Sequence, residues 1–442
     1  MKRVHIVSLG CAKNRVDSEV MAGILQGEGY RLVSDPDQAD VAVVNTCTFI
    51  QPANEESIEA ILELANLKEE GRLEKLVVTG CMAQRFAAEL PTELPEVDAF
   101  LGTGTYHRIG DVLGGRELSR VLVDAPRWLP TAQTPRLNTS PPGSAWLKIS
   151  EGCDHKCAFC IIPSIRGGHR SRTLASLVEE ARILAAQGVL ELNLVGQDTT
   201  SYGRDLSADI DLAVLTEALA EVDGLEWIRV HYLYPRGVPQ RLLEVMASHP
   251  KVLPYVDMPL QHASDRMLRA MGRGTSRARQ EAILDNIRAT VPDVTLRSTF
   301  IVGFPGETEE DFDELLDFVR QQGFHRVGAF PYWQEEGTRA AELPHQVPEE
   351  VRMQRLDELM ELQAGIAKDH LERWIGREVR VLVQGLSDET ELLLQGRTAH
   401  QAPEVDGVVY INDAPEGVAP GTMRRVLIED ALDYDLVGRV VD

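Results

Sequence analysis

The chain lacks any apolar run approaching the roughly 20 residues needed to span a bilayer. Its first ten residues, "MKRVHIVSLG", have a basic start but only a broken apolar stretch, which suits a first β-strand better than a signal peptide. A cytoplasmic protein is therefore expected. Positive charge is in short supply: 45 Lys and Arg stand against 69 Asp and Glu, a formal net charge of −24. A protein that grips RNA over a wide area draws most of its affinity from basic side chains on phosphate. This surface should instead repel phosphate and attract basic partners. Solubility alone explains the acidity equally well, and a local basic cleft can hide under the total. Cysteine is scarce too. The six residues Cys11, Cys47, Cys81, Cys153, Cys157 and Cys160 could formally make three disulfides, but in a large chain without a secretion signal metal binding or catalysis is favoured.

What is present is an ordinary globular composition, 43% apolar and 26% charged, with no sign of disorder. At 442 residues the chain exceeds what one core usually organises, so two or three domains are expected. The first 120 or so residues alternate strand-like and helix-like segments: "RVHIVSLG" before a helix from about Asp17 to Gly27, "ADVAVVNTC" before "NEESIEAILELANLKEEG", and "EKLVVTGC" before "AQRFAAELPTELP". Such alternation predicts βαβ units and a parallel sheet. Cys11, Cys47 and Cys81 each fall at the end of one of these strands. The carboxyl edge of an open α/β sheet is its ligand-binding edge, so the three can converge there. The Pro-rich segment 124–143 reads as a linker or a long loop.

From about residue 144 the alternation resumes with six candidate strands, "WLKIS", "LELNLVG", "EWIRVHYL", "VLPYVDM", "VTLRSTFIVG" and "HRVGAFPY". Six βα units are too few for a closed eight-fold barrel, so an open, partial, TIM-like barrel is predicted over 144–374, ending in a helix from about Pro348 to Trp374. Residues 375–442 read as five short strands, a small β-barrel of a kind that often carries a recognition surface. Its thirteen acids outnumber its six arginines, an awkward sign for RNA binding.

The loop after the first barrel strand, "EGCDHKCAFCIIPSIRG", spaces Cys153, Cys157 and Cys160 as C-x3-C-x2-C and supplies no fourth cysteine nearby. Iron–sulfur clusters are held by cysteine thiolates and a complete [4Fe–4S] site needs four. Three on one loop leave one iron open for a substrate or cofactor. The rival is structural zinc with His155 or His169 as fourth ligand, although zinc usually draws its ligands in two separated pairs.

At this point the sequence resembles the radical S-adenosylmethionine (SAM) enzymes. The resemblance implies that this loop binds a [4Fe–4S] cluster whose open iron chelates SAM, that the backbone of Phe159 lies near the adenine, and that reduction yields a 5′-deoxyadenosyl radical. A three-cysteine α/β domain before the loop and a β-barrel after it resemble the methylthiotransferases. There Cys11, Cys47 and Cys81 would hold a second [4Fe–4S] cluster, in an N-terminal domain over 1–123. The barrel over 375–442 would be a TRAM-like domain for substrate recognition. Without the resemblance, buried unpaired cysteines are the default.

Two branches compete: one modifies an adenosine derivative at position 37 of transfer RNA, the other the β-carbon of an aspartate in small-subunit ribosomal protein twelve. "SLGCAKNRVDSE", "VNTCTFIQPANEESIEAIL", "ELPEVDAFLGTG", "IRVHYLYP", "YVDMPLQH" and "QAPEVDGVVYI" resemble the ribosomal-protein branch, called RimO, over essentially the full chain. Ala12, where that branch usually has proline, and Trp333, where serine is common, depart from it. The resemblance implies two uses of SAM, one donating methyl to a sulfur on the second cluster and one removing hydrogen from the aspartate. It also implies a sulfur source and an outside flavodoxin- or ferredoxin-type electron donor. A negative terminal barrel suits a basic ribosomal protein better than tRNA phosphate. A non-catalytic, metal-stabilised binding protein is the remaining alternative.

Weaker signals accompany these. "LVGQDTTSYG" follows the second barrel strand, where Gln197 or Asp198 can contact the SAM amino group or simply cap the next helix. "GFPGETEEDF" lacks the Lys and Ser/Thr of a phosphate loop and reads as a helix start near Thr308, with Gly306 allowing close backbone approach. His262 reads as a proton carrier or, more commonly, a hydrogen-bonded structural residue. No general base is assigned.

Overall fold

The computed structural model describes residues 1–442 as three layered units. The first is a parallel sheet of β1 (Arg3–Ser8), β2 (Arg31–Leu32), β3 (Val41–Thr46), β4 (Lys75–Gly80), β5 (Ala99–Leu101) and β6 (Val121–Leu122), in the order β2-β1-β3-β4-β5-β6. Its helices include α1 (Ala12–Gly27), α2 (Gln51–Glu69) and α3 (Cys81–Arg85). Alternate residues of a strand face opposite layers. Val44 and Val78 accordingly pack with Ile61 and Leu64 of α2, while Val43 and Val77 pack with Val20 and Met21 of α1.

Two helix boundaries differ from the sequence expectation. α1 begins at Ala12 rather than near Asp17, because Cys11 occupies the N-cap without a side-chain cap bond, so the usual Ser/Thr/Asp/Asn start signal is absent. Ala12, the departure from proline, is the first helical position. The N–H there needs no intrahelical partner, so alanine and proline both serve. The expected helix over "AQRFAAELPTELP" is broken into α3 and a single turn, Leu90–Glu93, with Pro91 in it. The two-residue strands β2 and β6 and the three-residue β5 were too short to show a periodicity.

The second unit begins with β7 (Ser144–Lys148), after which β8 (Ser150–Glu151) pairs antiparallel with β9 (Arg170–Ser171). Then come β10 (Glu191–Val195), β11 (Trp227–Val230), β12 (Val252–Asp257), β13 (Thr295–Val302) and β14 (Arg326–Pro331), in the parallel order β14-β13-β12-β11-β10-β7. The edge strands β7 and β14 do not pair, so the barrel is open, as six βα units require. Leu147, Leu192, Leu194, Ile228, Val230 and Val256 join the helices in the main core. The alternating positions Lys148, Glu191, Asn193, Arg229, His231 and Asp257 are buried and polar, a lining that needs partners. Thr308 caps the helix Glu309–Gln322 with a full capping box to Asp311. The close approach expected at Gly306 is found instead at Gly303. A Cβ at Gly303 would sit 2.1 Å from Arg352 Cγ, whereas Gly306 has only Arg266 at 3.8 Å and is a glycine for its φ of +81°.

A helix, Glu349–Glu372, leads to the third unit: β15 (Glu378–Leu386), β16 (Leu394–Thr398), β17 (Val409–Asp413), β18 (Met423–Ala431) and β19 (Leu436–Val440), closed in the order β15-β16-β17-β19-β18. This barrel is keyed into the second unit. Glu191 accepts from Arg229 Nη2 (3.2 Å) and from Arg397 Nη1 (3.1 Å), and Tyr255 donates to Asp406 at 2.7 Å. Segment 124–143 is a strap. Arg136 donates to Glu19 of α1 (2.6 Å) and to Glu180 of the second unit (2.6 Å). A Cβ on Gly23 would strike the Arg136 backbone nitrogen at 2.5 Å.

His400 and His325 lie at the junction of the second and third units, with His400 Nδ1 2.7 Å from Thr295 Oγ1. Burial lowers the His400 pKa to about 4 and that of His325, also opposed by His370, to about 3. Unfolded, both protonate near 6.5. Between those values the unfolded chain binds more protons than the native one, so stability rises with pH across the window and is lost as pH falls from about 6.5. Thermal melting should show Tm dropping by several degrees over that range. The drop should be smaller in His400→Gln and smaller still in His400→Gln with His325→Gln, and an identical slope in the double variant would assign it to carboxylates.

Candidate functional site

β1, β3 and β4 are neighbours in the first sheet, and each ends at or just before a cysteine. Cys47 follows β3 directly, Cys81 opens α3 directly after β4, and Cys11 caps α1. The tertiary structure gathers them closely enough that each thiol lies within electrostatic reach of another. Gly10, at φ +84°, makes room for this, since a Cβ there would sit 2.8 Å from Cys47 Sγ. Burial raises the Cys81 thiol to about 12 and raises Cys47 as well. Burial acts on Cys11 in the same sense, but Lys13, Arg166 and backbone N–H groups at the start of α1 outweigh it and lower that thiol.

Cys153, Cys157 and Cys160 lie on the loop between β8 and the short helix Ile162–Arg166, all half-buried. Gly152 is required here, because at φ +79° its Cβ would meet Gly168 O at 2.1 Å. Burial pushes Cys160 up to about 12 and Cys153 up to about 11. Arg273 lies 3.4 Å from Cys157 Sγ and 4.3 Å from the centre of the Tyr234 ring. Phe159 packs against the cluster of Met267, Met271, Phe304 and Tyr332.

A buried charged network and an apolar contact join the first set to the segments that flank the second. Arg166 Nη2 lies 3.6 Å from Cys81 Sγ and 3.1 Å from Asp17 Oδ2, and its Nη1 donates to Glu151 Oε1 at 3.0 Å. Lys148 Nζ donates to Glu151 Oε2 at 2.8 Å and to Asp17. Ile161 and Ile165, just past Cys160, pack on Cys81. Burial disfavours the Glu151 charge, yet Arg166 and Lys148 hold its carboxyl well below the usual range. Two acids and two bases cancel, which is the condition for keeping them out of water. Sequence reading missed Asp17, Lys148, Glu151, Arg166 and Arg273. The available signal was position, since Asp17 and Glu151 stand within a few residues of a cysteine.

All six thiols are free of disulfides. Buried thiols with raised pKa need a compensating positive charge to ionise, which a bound metal would supply. An arginine against each set, Arg166 and Arg273, suits the residual negative charge of a three-thiolate cluster. The zinc alternative finds its histidines engaged elsewhere: His155 bonds Asp198 at 2.8 Å and stacks 3.7 Å over Tyr234, and His169 lies 3.1 Å from Ser171 Oγ. No His, Cys, Asp or Glu group has single-ion spacing. Gln197 donates to Glu151 at 2.7 Å and leaves Oε1 buried without a partner, an acceptor open to a ligand amine. Asp198 is occupied by His155, Ser201 and the Thr200 N–H. His262 is fully buried, its Nδ1 accepting from the Ser264 N–H at 3.0 Å and its Nε2 3.3 Å from Glu307. Trp333 is half-buried with Arg352 5.8 Å over its ring.

Three family models match the chain: the uncharacterized protein family UPF0004 over residues 3–102, the radical SAM superfamily over 147–319 and the TRAM domain over 375–441. Among similar proteins, a ribosomal protein uS12 methylthiotransferase RimO of Anaeromyxobacter sp. (strain Fw109-5) is 54% identical, covering 99% of this chain and 93% of its own. Proteins of the same name from Myxococcus xanthus (50% identical, 100% of this chain and 92% of theirs) and Citrifermentans bemidjiense (46%, 100% and 99%) are likewise similar throughout. Among solved structures, the radical SAM methyltransferase TsrM of Kitasatospora setae, bound to cobalamin and a [4Fe–4S] cluster, shares the fold at TM-score 0.56 and 16% identity over 75% of each chain. The cobalamin-dependent enzyme OxsB does so at TM-score 0.52 and 14% identity, over 82% of this chain and 56% of its own.

Proposed function

The chain belongs to the ribosomal protein uS12 methylthiotransferase family, and from that premise we propose that it places a methylthio group on the β-carbon of an aspartate in uS12. It is a radical SAM enzyme of the methylthiotransferase class. One observation carries the reading: two separate three-thiol sets at the carboxyl edges of two parallel sheets, with Arg166, from the helix that follows the second set, reaching Cys81 of the first. Cys153, Cys157 and Cys160 would hold the [4Fe–4S] cluster of the radical SAM domain, and Cys11, Cys47 and Cys81 a second one. When bound, the clusters and SAM supply hydrogen abstraction and the methylthio donor. The Phe159 backbone would lie near the SAM adenine, its ring anchored among Met267, Met271, Phe304 and Tyr332, and Gln197 Oε1 offers an acceptor for the SAM amino group. Asp17, Lys148, Glu151 and Arg166 hold the two loops at one fixed separation.

The working division is 1–123 for the auxiliary site, 124–143 for the strap, 144–374 for the radical SAM unit and 375–442 for substrate recognition. The last has thirteen acids against six arginines, −7, which suits a basic ribosomal protein. A sulfur source and a flavodoxin- or ferredoxin-type electron donor complete the partners. No helix is long and apolar enough to cross a membrane. The test is mass spectrometry of uS12 after anaerobic incubation with the reconstituted protein, SAM, sulfide and a reductant, beside a reaction with tRNA bearing N6-modified adenosine 37. A methylthio mass gain on one aspartate is expected. Gain on the tRNA alone would leave the enzyme class standing and overturn the substrate, and absence of iron and SAM cleavage would return the chain to a binding protein.

A further inference from the structure

Every buried arginine, and Lys148, meets a carboxylate or a carbonyl: Arg166 meets Glu151, Arg229 and Arg397 meet Glu191, and Arg273 donates to Pro259 O at 2.6 Å. Lys13 is the exception. Its side chain is buried, the residue being 8% exposed, and its ammonium rests 3.7 Å from the centre of the Tyr232 ring with no carboxylate beside it. Its neighbours are the Tyr232 ring and the Cys11 thiol, and a buried ammonium without a carboxylate partner is costly to keep. It is kept where an anion arrives to complete it.

Its position says which anion. Lys13 lies in the first turn of α1, two residues past Cys11. Tyr232 lies on the loop after β11, at the carboxyl edge of the second sheet. The pair therefore spans the space between the two edges that carry the cysteine sets. Tyr232 has φ +57°, a conformation rare for a side chain of its size. It is pinned there from both sides: its N–H donates to Asp257 Oδ2 at 3.2 Å, and its carbonyl accepts from the Thr199 N–H at 3.2 Å. Strain held this firmly belongs to sites where the aim of a side chain matters.

We propose that Lys13, seated over the Tyr232 ring, binds the side-chain carboxylate of the substrate aspartate and so holds its β-carbon between the two cysteine sets. This rests on the uS12 reading above. The carboxylate is one bond from the carbon to be modified, so an ion pair to it fixes that carbon more tightly than contacts to the rest of the ribosomal protein can. It also selects against the isosteric amide, which leaves the ammonium unpaired.

The experiment uses the reconstituted full chain and two forms of uS12, the natural protein and one with the modified aspartate changed to asparagine, with binding measured by calorimetry and turnover by mass spectrometry. Wild type should bind the aspartate form about tenfold or more tightly. Lys13→Met, which keeps the apolar stem, should bind both forms alike at the weaker strength, and Lys13→Arg should recover part of the preference. Iron content should not fall. Equal weakening toward both forms, or loss of iron in Lys13→Met, would overturn the inference and make Lys13 a charge partner of the Cys11 site. Unchanged preference in Lys13→Met would overturn it as well while leaving the uS12 reading intact. Failure of wild type to modify uS12 at all would remove both.

Discussion

Cys157→Ala is expected to release no 5′-deoxyadenosine from SAM under reduction and to transfer no methylthio group, with iron falling from about eight to about four per chain. Cys157 lies in the middle of the half-buried loop set, with Arg273 3.4 Å from its sulfur. Alanine there removes one of three thiolates, and a cluster held by two leaves a second iron without a protein ligand. Cys81→Ala should lose the same amount of iron but keep SAM cleavage, because its sulfur belongs to the set on the first sheet, across Arg166. Chromatography of deoxyadenosine beside iron analysis separates the two variants. If both abolished cleavage, the two sets would act as one site, and the division of labour between them would be wrong.

The second large effect is on stability. Glu191 has no exposed surface and stands between Arg229 and Arg397, the latter on β16 of the terminal barrel. Burial opposes its charge, but Arg397 and Arg229 hold the carboxyl well below its usual range. Glu191→Ala leaves two guanidinium groups buried without a counter-charge, which costs on the order of 3–5 kcal/mol. Melting should show the loss, and limited proteolysis should open the chain near Trp374, where the connecting helix ends. The triple variant Glu191→Met, Arg229→Met, Arg397→Met should recover most of it, since no unpaired charge remains. A Glu191→Ala protein as stable as wild type would show that water reaches the pair.

The strands of the open barrel and of the terminal barrel were legible because each is a run of β-branched or alternating apolar residues bounded by glycine or polar turns. The helix at Thr308 was legible from its capping box. β2, β5 and β6 were not, since two or three residues carry no period. Nor was the start of α1, where cysteine stands in for a capping oxygen.

The site divides in the same way. The spacing of Cys153, Cys157 and Cys160 is local, and three soft ligands within eight residues state their chemistry without a fold. That Cys11, Cys47 and Cys81 each follow a strand is also local, and parallel-sheet topology then brings them to one edge. The sequence by itself thus determined the ligand types, the sheet edges they occupy and the sign of the terminal barrel. Only the tertiary structure decided what surrounds them. Asp17 and Lys148 lie 131 positions apart, Arg166 and Cys81 85 apart, and Glu191 and Arg397 206 apart. Burial gives such pairs their energy, and burial is a property of the packed chain. The same holds for Lys13: a lysine in an acidic sequence is unremarked until packing removes its water and leaves it beside a tyrosine ring with no carboxylate.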